Sequence, residues 1–218
     1  MKKNAFIAGV FTVAGQVMAE ALRQSGHYIY GTDRKEDYSG LCDRAFRFDL
    51  ARFATDADYR IRFTDIFDEV IPRLDVLVLC PRFYHPGHLY DIQLEHWYES
   101  LNGQLTGPML LCKLFQARLE CSRGSVLFVA PHQELLGEAN LLAYSSSMFG
   151  FYGLARALAA DWKEKIAVYG LSTVTANEMP EDPAEKKYWK EIGDLAVFLL
   201  EEKPLALSGQ FFPMTKKN

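Results

Sequence analysis

Two rhythms of apolar and polar residues alternate along the chain. Residues 5–9 (AFIAG) form a short apolar run with no polar face, as a strand covered on both sides of a sheet does. Ala14, Val17, Met18, Ala21 and Leu22 then recur at the three- and four-residue spacing of one helix face, and Gly26 ends that stretch. Residues 27–32 (HYIYGT) predict a second strand, so the chain opens with a β-α-β unit. Further strands are predicted at 45–50, 74–80, 124–130, 166–172 and 207–212. Helical spacing is predicted at 59–71 (stopped by Pro72), over two stretches within 94–120, at 141–162 and from Asp194 to Leu200. Strands separated by helices predict an α/β fold with a parallel sheet. The polar stretch 175–190, with Pro180 and Pro183, predicts a loop.

Composition narrows the picture. With 218 residues, 49% of them hydrophobic, the chain predicts a single globular domain over 1–218. A net charge of −4 gives no footprint for nucleic acid, and Lys216 and Lys217 read as a solvated tail. Cys42, Cys80, Cys112 and Cys121 form no C-x-x-C pair and read as reduced thiols of a cytoplasmic protein. The opening MKKN and the apolar residues after it imitate a signal peptide, yet the same residues supply the first strand and helix. No run approaches the roughly 20 apolar residues of a membrane helix. His85 and His88, with His96 further on, make a weak H-x-x-H pattern that lacks helical partners, so no metal is expected.

Four stretches carry chemistry. Tyr144 lies between Ala143 and Ser145 at the head of an alanine-rich apolar helix. Residues 8–15 read AGVFTVAG after the first strand, Leu105-Thr106-Gly107-Pro108 joins two helices, and Leu207-Ser208-Gly209-Gln210 precedes the last strand. Together they resemble the short-chain dehydrogenase/reductase (SDR) family over nearly the whole chain. The resemblance implies a Rossmann-like, doubly wound parallel sheet of about seven strands in three αβα layers. It also implies NAD(H) as the cofactor, if one binds. Gly9 and Gly15 stand at the first and third glycines of the family's phosphate-binding turn, and Asp33 at the position that bonds the adenosine ribose. Asp33 also reads simply as a strand-end aspartate. Asp49 would face the adenine, and Tyr144 occupies the catalytic tyrosine position.

The departures fall where the family keeps its chemistry. Val13 replaces the middle glycine, where backbone must approach phosphate closely and where a β-branched residue resists positive φ. Leu79-Cys80-Pro81-Arg82 replaces Asn-Asn-Ala-Gly, Gln104 an asparagine of a proton relay, Pro131 the substrate-polarising serine, and Thr173 the proline of a Pro-Gly pair. Met148 stands four residues after Tyr144, on the same helix face, where the family has lysine. A free tyrosine has a pKa of about 10, and a neighbouring cation favours its ionised form. Methionine supplies no charge. His132 offers a substitute donor or is a loop histidine.

These losses point to a non-catalytic subunit that works beside a competent SDR partner, with no cofactor of its own. The alternative is an active NAD(H)-dependent oxidoreductase using Tyr144 as acid/base, with His132 as the substitute donor. SDR enzymes associate through two helices that correspond here to 94–120 and 144–162. Trp97, Phe115, Phe149, Phe151 and Tyr152 are the aromatics expected at that homo- or hetero-oligomer interface, with core packing as the other reading.

Overall fold

Strand residues that alternate between two apolar faces demand a layer of helices on each side, and the computed structural model has that arrangement. It describes residues 2–34, 40–132, 137–174 and 179–215; the tail lysines Lys216 and Lys217 lie outside them. Seven parallel strands run in the order β3-β2-β1-β4-β5-β6-β7. They are β1 (Asn4–Ala8), β2 (Tyr28–Asp33), β3 (Arg44–Arg47), β4 (Val76–Leu79), β5 (Ser125–Pro131), β6 (Ala167–Thr173) and β7 (Phe211–Pro213). The order reverses between β1 and β4. Strand carboxyl ends flank a crevice at such a reversal, the usual place for a ligand in open parallel sheets.

One face of the sheet is covered by α1 (Val13–Gln24) and α7 (Pro183–Glu202). Ala5, Ile7, Val76 and Val78 point there, against Met18, Leu22, Ile192 and Ala196. The other face takes α3 (Ala57–Val70), α5 (Gly107–Ser122) and α6 (Leu142–Trp162), packed on Phe6, Leu77, Leu79 and Phe128. That face is aromatic: the Phe6 ring lies 5.2 Å from Phe67 and 4.9 Å from Phe115, in edge and tilted contacts that suit the ring quadrupole. Two short helices complete the set, α2 (Leu50–Thr55) before α3 and α4 (Leu94–Leu101) before α5. Between α4 and α5, residues 102–106 form one π-helical turn.

Several expectations change. The predicted third strand is shorter, and Asp49 caps α2 by accepting from the backbone N–H groups of Ala51 and Arg52 at 2.8 and 3.2 Å. Much of the stretch expected to be a loop at 175–190 is the start of α7. Asp182 caps it by accepting from Ala184 and Glu185, and Pro183 sits in its first turn, where a missing N–H costs nothing. Residues 175–178 of that stretch lie outside the described residues. Phe115, Phe151 and Tyr152 belong to the core, so of the aromatics expected at an interface only Phe149, 50% exposed, lies open to solvent, with Trp97 half-buried. Among the described residues no helix is long and apolar enough to cross a membrane.

Candidate active site

The crevice at the β1/β4 reversal divides into two compartments. The outer one is a cavity of about 370 Å³ between the ends of β1, β2 and β4. Gly9, Asp33, Arg34, Phe48 and Phe83 are among its walls. The inner one, towards β5 and β6, is only about 60 Å³ and is bounded by Val13, Ala130, Tyr144, Thr173 and Trp189. Thr12, Pro81 and Arg82 line both, so they form the waist between them.

The turn after β1 explains the two glycines. Gly9 has φ +84°, and a Cβ there would meet the Cys80 carbonyl oxygen at 2.2 Å. Gly15 lies under the turn, where a Cβ would meet the Gly9 carbonyl oxygen at 2.2 Å. Gly9 borders the outer compartment, whereas Gly15 is a buried packing glycine. Thr12 caps α1 by accepting from the Gly15 N–H at 2.9 Å. Val13 is the first residue of α1 and keeps ordinary negative φ, so the expected strain of a β-branched residue there is not found. Its cost is steric: the buried side chain takes up space in the inner compartment.

Asp33 ends β2 facing the outer compartment. Its carboxylate accepts from the Phe11 N–H at 3.1 Å and from the Arg34 N–H at 2.7 Å, bracing the glycine turn from the opposite strand. Arg34 lies over the Phe83 ring at 4.4 Å and pairs with Glu99 at 2.8 Å, forming one lip of the cavity. Asp49 is not among the cavity's walls, although its neighbours Phe48 and Leu50 are, because its carboxylate is turned into the α2 cap.

Tyr144 stands in the first turn of α6 at the edge of the inner compartment. Burial pushes its phenol up to about 12, against an opposing pull from the Arg82 charge. The Tyr84 ring meets it edge-on at 5.4 Å. Met148, one turn on, is buried in the apolar core and lines neither compartment. Gln104, in the π-helical turn, is also buried. Its Oε1 accepts from the Ser147 hydroxyl at 3.1 Å, and its Nε2 has no partner among the described residues.

His132 is committed elsewhere. Its Nε2 lies 2.9 Å from the Met214 carbonyl, which can only accept, so Nε2 carries the proton. Its Nδ1 lies 2.9 Å from the Ser172 hydroxyl and accepts from it. Both ring nitrogens of the expected substitute donor are thus occupied in tying β5, β6 and β7 together. His85 stacks on His96 with ring centroids 4.5 Å apart, and its Nε2 is 2.9 Å from Glu99 but off the hydrogen-bond direction. Among the described residues no group of His, Cys, Asp and Glu is placed to hold a metal ion.

Residues 3–183 match the profile of the short chain dehydrogenases. The chain belongs to the short-chain dehydrogenase family. This SDR chain is 26% identical to the D-threitol dehydrogenase of Mycolicibacterium smegmatis over 95% of its own length and 89% of that protein's. Among solved structures, the ligand-free aldohexose dehydrogenase of Thermoplasma acidophilum superposes with a TM-score of 0.81 at 15% identity, covering 97% of this chain and 92% of that one. An apo SCOR enzyme of Clostridium thermocellum gives a TM-score of 0.82 at 19% identity, covering 98% and 91%. At such identities the structural likeness concerns the fold alone.

Set against a dinucleotide, the cleft of this SDR fits unevenly. The outer compartment has the room, the positive-φ glycine and the strand-end aspartate that an adenosine requires. The inner compartment is narrower, about 60 Å³ between Val13, Tyr144 and Trp189, so a nicotinamide ring has less room there than an adenosine has in the outer one. Arg82 is the site residue that sequence reasoning passed over. Its one signal was a new cation in a ligand-facing loop of a chain that had lost its lysine.

Proposed function

We propose that this SDR chain is an oxidoreductase that interconverts a small alcohol and its carbonyl compound with NAD(H), Tyr144 being its proton donor. The observation that carries the reading is the Tyr144 phenol, placed at the inner end of the cleft and held protonated by burial. Burial holds the phenol protonated, with an ionised fraction on the order of 10⁻⁵ at neutral pH, and that is the form that gives its proton in reduction. In that direction a developing alkoxide is a far stronger base than phenolate and takes the proton. Gly9 and Asp33 would hold the adenosine end, and the bound cofactor would supply the hydride. The dehydrogenase names carried by relatives agree with an active enzyme.

The expected outcome of titration with NADH, followed by calorimetry, is binding in the micromolar range. With a panel of small aldehydes and ketones, NADH oxidation should fall by about 100-fold or more in Tyr144→Phe, the usual contribution of a positioned acid. Unchanged turnover in Tyr144→Phe would remove Tyr144 as the acid. The 60 Å³ inner compartment favours a second reading, a non-catalytic subunit beside a competent SDR. That reading expects no turnover by the isolated chain and recovery of activity only with the partner.

A further inference from the structure

We propose that Arg82, at the carboxyl end of β4, is the charge partner of the Tyr144 phenol and takes over the electrostatic work of the lysine absent from α6. The inference rests on Tyr144 being the acid, as proposed above. Three observations support it. The first turns of α6, residues 142–152, contain no cationic residue, and Met148 is 1% exposed and packed into the core. Arg82 and Tyr144 both line the 60 Å³ compartment, and the Arg82 charge acts on the phenol there. The remaining wall is largely apolar or aromatic: Val13, Val129, Ala130, Pro131 and Trp189 line the same space, and Tyr84 lies against the phenol. Charge interactions are weakly screened in such surroundings.

The chemistry balances with the charge on this wall. A bound NADH would supply the hydride and leave as NAD⁺, while the Tyr144 hydroxyl would give its proton to the carbonyl oxygen. An alcohol and a phenolate result, and the phenolate recovers its proton from solvent. Arg82 stabilises the phenolate, which exists only after transfer has begun, so it acts on the barrier through Tyr144. It is a positioning residue by that criterion, and its effect belongs in kcat more than in KM. Of the titratable groups whose charge acts on the phenol, Arg82, Tyr84 and Tyr152, Arg82 alone favours its ionised form.

The test uses two readouts on the full chain. In protein labelled with fluorotyrosine, the ¹⁹F signal of Tyr144 is assigned by its loss in Tyr144→Phe and followed against pH. Arg82→Gln should move its midpoint to higher pH, and Arg82→Lys should restore most of the shift. An unchanged midpoint in folded Arg82→Gln overturns the inference, whether or not the chain turns over. In the reductase assay Arg82→Gln should lower kcat by about tenfold with a smaller change in KM, and Arg82→Lys should recover part of it. Loss of activity in Tyr144→Phe with none in Arg82→Gln would leave the proposed function standing and remove Arg82. Activity unaffected by Tyr144→Phe would instead remove the proposed function.

Discussion

Tyr144 and Tyr169 are both phenols that burial pushes up to about 12, yet their surroundings set opposite consequences. Tyr144 borders a cleft, so its retained proton is available to a ligand. Tyr169 lies on β6 beneath α7, and its hydroxyl has no partner among the described residues. A buried unpaired hydroxyl costs about 1–3 kcal/mol of desolvation. Tyr169→Phe should therefore leave stability unchanged or raise it by about 1 kcal/mol, read as a higher urea midpoint at constant m. A drop of that size would show that the hydroxyl has a partner. Asp49 allows a sharper separation of roles. As the α2 cap, Asp49→Ala should lose about 1 kcal/mol and Asp49→Asn little, with NADH affinity the same in both. A fall in affinity without a fall in stability would return Asp49 to the adenine.

At the scale of elements, the sequence made the sheet legible and left the cleft's inner half hidden. Continuous apolar runs such as 74–80 and regular spacings such as Ala14 to Leu22 are local signals, and they fall on β4 and α1. The helix α2 escaped because six residues hold too little periodicity, and the start of α7, before the predicted stretch 194–200, because its first turns are polar while Tyr188 and Trp189 face inward. Long-range pairing escaped entirely. His132 finds its partner at Met214, 82 residues on, and Arg82 comes to line one compartment with Tyr144 only when the end of β4 and α6 converge on one cleft. Tertiary packing also gives His27 a pH role. It follows α1, and its Nε2 is 3.6 Å from Glu201 of α7, which also pairs with Lys3. Burial lowers its pKa below the unfolded value, and Glu201 only partly offsets this. The folded state therefore disfavours protonated His27. Its contribution is present above about pH 6.5 and is lost as pH falls through the lower folded value. Urea titrations between pH 7 and pH 5 should show a steeper loss for the native chain than for His27→Gln.

For the whole molecule, the open question is what meets its surface. Leu94 and Tyr98 of α4 and Phe149 of α6 stay 63%, 56% and 50% exposed. These helices pack together, which puts the three side chains on neighbouring elements, and a contiguous exposed apolar patch marks a contact surface where scattered single side chains do not. We expect the chain to associate through these helices. Light scattering should show Phe149→Lys shifting the chain towards monomer with its melting temperature little changed. A native chain that is already monomeric at high concentration would remove that surface as a self-association site.

The strand order has a consequence in time. β1 is hydrogen-bonded on both sides, to β2 and β4, whereas β3 and β7 close the two edges of the sheet. Amide protons in β1 can exchange with deuterium only when the centre of the sheet opens, which sets a slow clock close to global unfolding. Those of the four-residue β3 and three-residue β7 can leave by local fraying. The outer compartment is rimmed by loops that follow the slow strand β1 and the faster β2–β3 edge. A nucleotide that lodges there would retard the amides of Phe11 and Arg34, which Asp33 already holds, and leave the β7 edge at its own pace. Exchange kinetics would thus tell on which side of the waist a ligand sits before any reaction is known.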